Sequence, residues 1–371
     1  MSLQTPEISP SSSTERLEKP PVKGRAVLVI HGGAGKLTRD RYRPELQARY
    51  HETLIRALEA GYSVLARGGC ALDTVEAAIN ILEDSPLFNA GKGAVLTRDG
   101  KCELDASIMV SHPRAAGIEV GGEETRRTMA VTMLTRVKNP ITLVKKLYLA
   151  KKETTEHVLH AAPYVEKMAE ELGCEMVVEP YFHTPARDRQ HQSGFTLDNA
   201  GVMDYDAKGT VGAVALDING YMAVGTSTGG KGGKLPGRIG DTPIAGAGYW
   251  CEQFQVQTKS IWNRMFPFIK SKRSTMKGMG VSATGDGDYF IRYGACHDIY
   301  ARMKYKGQSL ESASKDVLAG LDEAGGEGGV IGLTGEGEVV MAMNCAGMFR
   351  GWIDLSEGKP RVGIFCDETV R

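Results

Sequence analysis

The sequence predicts an α+β fold in which two β-sheets pack face to face between layers of helices, a four-layer αββα sandwich. Three observations predict it. Short apolar, strand-length runs cluster in both halves of the 371-residue chain. Each cluster comes with longer segments whose apolar residues recur at helical spacing. Between the halves, Glu179 to Lys208 is a long polar stretch that follows neither pattern.

The elements follow in chain order. Met1 to Gly24 is rich in Ser, Pro and charge and lacks the apolar core of a signal peptide. It reads as a disordered tail ahead of one domain, residues 25–371. Arg25-Ala-Val-Leu-Val-Ile30 is a continuous apolar run that stops at His31-Gly-Gly-Ala-Gly35, a buried strand entering a tight glycine loop. Pro44–Ala66 has helical periodicity and ends at Gly68-Gly69; Leu72–Leu82 reads as a second helix with Asp73 near its N-terminus. Lys101–Met109 and Met129–Leu134 are strand candidates, and Pro140–Lys152 and Glu156–Leu172 read as helices.

A structureless stretch longer than about 15 residues inside a compact domain needs a reason. Release by cleavage at its C-terminal end supplies one for the flexible linker expected at about 179–209. Strands follow at Thr210–Leu216, Tyr221–Thr226 and Gly278–Ala283, then helices at Tyr289–Tyr305 and Leu310–Ala324. Gly329–Leu333, Val339–Met343, Met348–Ile353 and Arg361–Cys366 close the chain as strands.

The formal net charge is +0, and no Lys/Arg run is interleaved with aromatics, so no nucleic-acid partner is expected. The apolar runs fall far short of a bilayer span, so no membrane partner is expected either. Seven scattered Cys without a close pair read as reduced, buried thiols of a cytoplasmic protein.

With 46 Gly, accidental phosphate-loop patterns arise easily. Gly32–Thr38 fails as a P-loop because Ile30 stands where a glycine is required, and Gly229–Lys234 fails because Thr228 does. A serine hydrolase is a stronger rival. Gly225-Thr-Ser227-Thr-Gly229 satisfies G-x-S-x-G, His31-Gly-Gly resembles an oxyanion motif, and His297 lies downstream. A nucleophile elbow, however, needs a helix straight after the serine, and Gly230-Lys-Gly-Gly-Lys-Leu-Pro236 cannot form one.

Another set of residues fits together. Gly209-Thr210-Val-Gly-Ala-Val214 starts a strand directly behind the polar stretch. It is joined by Thr226-Ser-Thr228-Gly-Gly230, Pro236-Gly-Arg238-Ile-Gly-Asp241 and Val281-Ser-Ala-Thr284-Gly285-Asp-Gly287-Asp. Alone, a Gly-Thr pair is a turn edge and an Arg and Asp on one loop are a surface salt bridge. With the blocks His31–Gly35, Leu87–Gly93, Glu103–Met109 and Val137–Ile141, they resemble the plant-type asparaginase/isoaspartyl peptidase family. These are N-terminal-nucleophile (Ntn) hydrolases, related to aspartylglucosaminidase and taspase. The resemblance runs from about Val27 to Phe365.

The resemblance implies an Ntn-hydrolase fold made as a precursor that cuts itself between Gly209 and Thr210. The products are an α subunit ending at 209 and a β subunit, 210–371, assembled as a dimer of αβ heterodimers. A threonine hydroxyl is a poor nucleophile without a base, and cleavage creates one, the Thr210 α-amine, with a reference pKa of roughly 7.7–8.0. Thr228 is expected to hydrogen-bond the Thr210 hydroxyl, and Asn89 to steady the nucleophile and support processing. Arg238 should clamp a substrate α-carboxylate, while Asp241 and the Gly287 carbonyl hold its α-ammonium. Thr284 and the Gly285 N–H form the oxyanion hole.

L-Asparagine and β-aspartyl (isoaspartyl) peptides are the implied substrates. No cofactor is implied beyond a structural Na+ on the backbone carbonyls of Leu82, Glu83, Ser85, Phe88, Ala90 and Lys92. His31 reads as packing for the glycine loop. The alternatives are a non-processing homologue acting as a binding protein, or a serine hydrolase using Ser227.

The chain departs from the family pattern in three places. Met109 is followed by Val-Ser-His-Pro-Arg, where relatives turn acidic and then glycine. Glu252 to Lys277 reads as an insertion that forms a lid or an added wall of the pocket, and the linker before Thr210 is the chain's own.

Overall fold

The computed structural model describes residues 24–118, 127–151, 153–193, 209–258 and 273–370. The expected N-terminal tail therefore lies outside the described residues except for Gly24.

Strand β1 (Val27–Gly35) explains the layering. It is buried along its whole length, and its side chains alternate between two apolar environments. Leu28 and Ile30 pack with Leu54 and Leu58 of α1 (Pro44–Ala66) and with Leu72 and Ile79 of α2 (Ala71–Glu83). Val27 and Val29 face the other way, into a cluster with Val214, Tyr249, Ile331 and Leu333. An apolar run with no polar alternation is what a strand covered on both faces requires.

The larger sheet has the order β12-β11-β1-β5-β6-β2-β3-β4. Its other strands are β2 (Leu104–Val110), β3 (Thr128–Leu134), β4 (Leu159–Ala161), β5 (Val211–Leu216), β6 (Met222–Thr228), β11 (Gly347–Asp354) and β12 (Arg361–Phe365). The smaller sheet has the order β10-β9-β8-β7, built from β7 (Tyr249–Thr258), β8 (Arg273–Gly285), β9 (Gly328–Thr334) and β10 (Val339–Met343). Val214 of the larger sheet and Ile331 of the smaller share one cluster, so apolar side chains of both sheets meet. On the far side of the smaller sheet, Met279 and Val281 pack with Phe290 of α6 (Gly287–Tyr293), Ile299 of α7 (Ala295–Ala301) and Leu318 of α8 (Leu310–Glu323).

Several sequence expectations need correction. The helix expected at Pro140–Lys152 forms as α3 (Pro140–Leu149), but the one expected at Glu156–Leu172 is a short strand, β4, followed by α4 (Tyr164–Glu171). Pro163 lacks a donor for a helix interior, and β4 instead pairs in parallel with β3. The helix expected at Tyr289–Tyr305 is broken at Gly294, whose φ of +55° lies in the left-handed region, giving α6 and α7.

The linker expected from about 179 begins as ordered structure. A 3₁₀ turn at Glu179–Tyr181 leads to α5 (Pro185–Gln192), with Pro185 in its first turn and the Thr184 hydroxyl capping the Arg187 N–H. Arg187 is buried and donates to the Gly93 carbonyl at 2.8 Å. The rest of the linker, 194–208, lies outside the described residues. The insertion expected at 252–277 starts and ends inside paired strands: β7 and β8 keep register down to Thr258↔Arg273. It prolongs a hairpin, and its tip, 259–272, lies outside the described residues.

All seven cysteines are free; Cys102, Cys251 and Cys296 are buried, while Cys70, Cys174 and Cys345 are half-buried and Cys366 is exposed, against the expectation of buried thiols. Among the described residues, no helix is long and apolar enough to cross a membrane.

Candidate active site

Thr210 stands immediately before β5, between β1 and β6. It is buried, at 6% exposure. Its backbone N–H donates to Thr284 Oγ1 at 3.1 Å, reaching across to the end of β8 in the other sheet. Its hydroxyl lies 3.1 Å from the Thr242 hydroxyl. The residue before it is wedged: a Cβ on Gly209 would fall 2.5 Å from the Gly33 Cα, and one on Gly33 would fall 2.9 Å from the Gly209 Cα. Gly33 also has φ +114°. The expected glycine loop is instead the second half of β1, where pairing with β11 shifts register between His31 and Ala34, and it lets the bond ahead of Thr210 approach backbone to backbone.

This contact carries a prediction. Gly33→Ala adds both a collision and a strained φ, so it should destabilise the fold by about 1–3 kcal/mol and slow any cut at Gly209. Thermal unfolding and denaturing electrophoresis would check it; wild-type behaviour in both would show that the close approach is dispensable.

One small cavity of about 30 Å³ gathers most of the remaining expected residues, with Thr210, Thr228, Arg238, Asp241, Gly285 and Gly287 in its wall. Asp241 is 5% exposed, and burial pushes its carboxyl up to about 6, only partly opposed by its own backbone N–H and by Arg238. Its Oδ1 lies 2.3 Å from where a Gly287 Cβ would be, so residue 287 has room only for glycine. Its Oδ2 has no hydrogen-bond partner among the described residues. A buried carboxylate oxygen without a partner costs free energy that a cationic ligand can recover. Arg238 Nη2 donates to Asp288 Oδ1 at 2.9 Å, and the Asp288 side chain is largely exposed.

Two expected contacts differ. Thr228 lines the cavity, but its hydroxyl accepts the Gly230 N–H at 3.0 Å; the hydroxyl touching Thr210 belongs to Thr242. The tight turn at Gly229-Gly230 brings that amide back over Thr228 and leaves the Thr228 hydroxyl proton free to donate. Among the described residues, Asn89 makes its hydrogen bonds with partners other than the nucleophile. Its Nδ2 donates to the Gly230 carbonyl at 2.7 Å and its Oδ1 accepts the Val95 N–H at 2.9 Å, so it ties its own loop to the Thr228 turn.

Thr242 is the residue that sequence reasoning missed. It follows Asp241 directly, and a lone threonine in a loop carries no pattern. A signal was present only in its neighbourhood, inside the block that supplies Arg238 and Asp241.

The serine-hydrolase rival does not survive the geometry. Ser227 is fully buried inside β6, and a loop without helix follows it. The His297 ring packs against Trp250, with centroids 4.9 Å apart. His31 is fully buried with Nε2 2.7 Å from Ser282 Oγ, and burial lowers its pKa to about 3, which keeps it neutral.

In the loop after α2, a Cβ on Gly91 would lie 2.4 Å from the Glu83 carbonyl oxygen, and one on Gly93 2.2 Å from that of Phe88. Both positions thus have room only for glycine, which lets the loop backbone close onto these carbonyls. Among the described residues, no group of three or more His, Cys, Asp or Glu could hold a metal ion.

The sequence was compared with known proteins. The profile of a family described as asparaginase matches residues 24–257 and 275–363, passing over the tip of the β7–β8 hairpin. The isoaspartyl peptidase of Escherichia coli K12 is 38% identical over 353 residues, covering 93% of this chain and 98% of that protein. That of Salmonella typhimurium is 38% identical over 349 residues, covering 92% and 99%. The isoaspartyl peptidase/L-asparaginase of Xenopus laevis is 31% identical over 350 residues, covering 93% and 97%.

Proposed function

The chain belongs to the asparaginase family, and from that premise we propose that it is a self-cleaving amidohydrolase with Thr210 as its nucleophile. Its substrates are L-asparagine, giving L-aspartate and ammonia, and β-aspartyl peptides, giving free aspartate. The observation that carries the reading is the buried, unpartnered Asp241 oxygen in one cavity with Arg238 and Thr210. An acid and a base on one short loop read the α-ammonium and α-carboxylate of an amino acid, and a hydroxyl stands beside them. The names of the relatives support the same substrates.

The proposed sequence begins in the uncut chain. Thr210 Oγ attacks the Gly209 carbonyl carbon, its proton passes to the departing Thr210 nitrogen, and an ester joins Gly209 to the threonine oxygen. Water then hydrolyses the ester, leaving a carboxylate on Gly209 and a free hydroxyl and amine on Thr210. In turnover that amine accepts the hydroxyl proton while Oγ attacks the side-chain amide carbon. The Thr284 hydroxyl and the Gly285 N–H receive the negative charge of the tetrahedral intermediate. Ammonia or a peptide amine leaves with the proton, and water releases aspartate from the ester. Thr228 and Asn89 hold the turn that walls this site.

The same proposal includes the αββα Ntn-hydrolase arrangement, supported by apolar clusters on both faces of each sheet, and assembly as a dimer of αβ pairs. It includes the subunit boundary after Gly209 as well. The carbonyls of Leu82, Glu83, Ser85, Phe88, Ala90 and Lys92 would hold Na+ as structural support for the loop that carries Asn89.

The test is kinetic. Matured protein should release aspartate from both L-asparagine and a β-aspartyl dipeptide. Inhibition by L-aspartate should weaken as pH falls through about 6, because the Asp241 carboxyl, raised from its ordinary 3.8, takes up a proton there and loses its grip on the ammonium. Release from neither substrate would remove the reading. A flat inhibition constant between pH 7 and 5 would remove Asp241 from its role.

A further inference from the structure

We propose that Thr242 is a positioning residue for self-cleavage, aiming the Thr210 hydroxyl at the Gly209 carbonyl before the α-amine exists. The inference rests on Thr210 being the nucleophile. In the uncut chain the Thr210 nitrogen is an amide, and its hydrogen is given to Thr284 Oγ1 at 3.1 Å. The attacking hydroxyl therefore has no base of its own, and its rate depends on how narrowly its direction is set. The hydroxyl in contact with it is that of Thr242, at 3.1 Å, with Thr242 itself 1% exposed.

Thr242 is itself held from below. Its carbonyl accepts the Ser107 hydroxyl at 2.7 Å, and the Thr226 hydroxyl, 3.3 Å from the same carbonyl, is placed to donate to Ser107. Ser107 and Thr226 face each other across β2 and β6 and lie 2.6 Å apart, oxygen to oxygen. The loop carrying Thr242 is further fixed to the smaller sheet: the Gly248 carbonyl accepts the Ala283 N–H at 2.8 Å. A threonine hydroxyl on a backbone pinned at several points is a directional contact, because β-branching leaves its χ1 few choices. Thr210 is thus gripped at two atoms: its nitrogen by Thr284 and its oxygen by Thr242. Meanwhile Gly209 is lodged against Gly33.

Cleavage changes the balance. The new amine is no longer tied to Gly209 and supplies its own base, so turnover depends less on Thr242 than the first cut does. Thr242→Val keeps the shape and removes the oxygen; Thr242→Ser keeps the oxygen.

The experiment follows the first-order disappearance of the full-length chain in wild type, Thr242→Val, Thr242→Ser and Thr210→Ala. It then measures kcat and KM for L-asparagine on the matured fractions. Thr242→Val should slow the cut by about 100-fold, the scale of a misaimed reacting group, and Thr242→Ser should restore it to within about threefold of wild type. The kcat of matured Thr242→Val should fall less than tenfold, with KM unchanged. Wild-type cutting in Thr242→Val, or equal slowing in Thr242→Ser, would overturn the inference. If Thr242→Val does not fold, Thr242→Ala against Thr242→Ser makes the same comparison with the same outcomes. Cutting in Thr210→Ala would instead remove the parent reading, so the two failures are distinguishable.

Discussion

Thr210→Ala should remain one chain of 40.0 kDa and lose nearly all of its hydrolysis of L-asparagine. The prediction is large because one oxygen serves twice. Without it, the Gly209 carbonyl has no attacking group within its own fold, so the peptide bond keeps its solution lifetime. Without the cut, no α-amine forms, and the base for turnover is missing as well. The loss should exceed about 10⁴-fold, since removing a nucleophile leaves only the catalysis that binding and the oxyanion donors supply. Thr210→Ser should still divide, more slowly, because serine keeps the oxygen and loses the methyl that restrains χ1. Cleavage of the alanine variant at Gly209 would assign the cut to another residue or to a contaminating protease.

Asp241→Asn should move activity and stability in opposite directions. The carboxylate is buried, one oxygen has no partner, and its pKa is pushed up to about 6. A bound ammonium recovers the cost of that charge, so the neutral amide should lower kcat/KM by about 10² or more, on the scale of 2–5 kcal/mol for breaking a buried charge pair. In the empty site the same charge destabilises the fold.

The sign follows from the direction of the shift. The folded state binds the Asp241 proton more tightly than the unfolded chain. The penalty is therefore absent below the unfolded value of 3.8 and complete above about 6. Asp241→Asn should accordingly raise thermal stability at pH 7, by an amount on the order of 2–3 kcal/mol, and show no gain near pH 4. A variant with lower stability at pH 7 and unchanged kcat/KM would contradict both halves.

Much of this site is legible in the chain because its chemistry is concentrated in short blocks. Arg238 and Asp241 sit three residues apart on one loop. Thr284 and Gly285 end β8 and Gly287 starts α6, and all of them border one cavity except Thr284, which reaches Thr210 directly. The strands carrying the blocks are equally legible, since β1, β5 and β6 are buried throughout and each contains a continuous apolar stretch, Val27–Ile30, Val211–Leu216 and Met222–Val224.

What escapes the sequence is whatever depends on contact between distant segments. The segment at Glu156–Leu172 has helical apolar spacing, but the partner that makes β4 a strand lies in β3. The motifs imply that Asn89 and Thr228 meet the nucleophile, whereas Asn89 Nδ2 donates to the Gly230 carbonyl and the Thr228 hydroxyl accepts the Gly230 N–H. Thr242 shows no pattern of its own, and only the fold brings its hydroxyl to Thr210. The linker misled for a related reason. Its polar composition conceals Arg187, whose buried bond to Gly93 anchors α5 against the loop that carries Asn89.

The central claim is that the bond before Thr210 is both the site of maturation and the origin of the catalytic base. The most direct measurement is the mass and N-terminal residue of every chain in purified protein, followed over time beside asparaginase activity. Two chains should accumulate, one of them starting at Thr210 and ending at Arg371, and activity should rise in proportion to it. An uncut chain of constant mass that is already fully active, or a cut that yields any other N-terminus, would contradict the account.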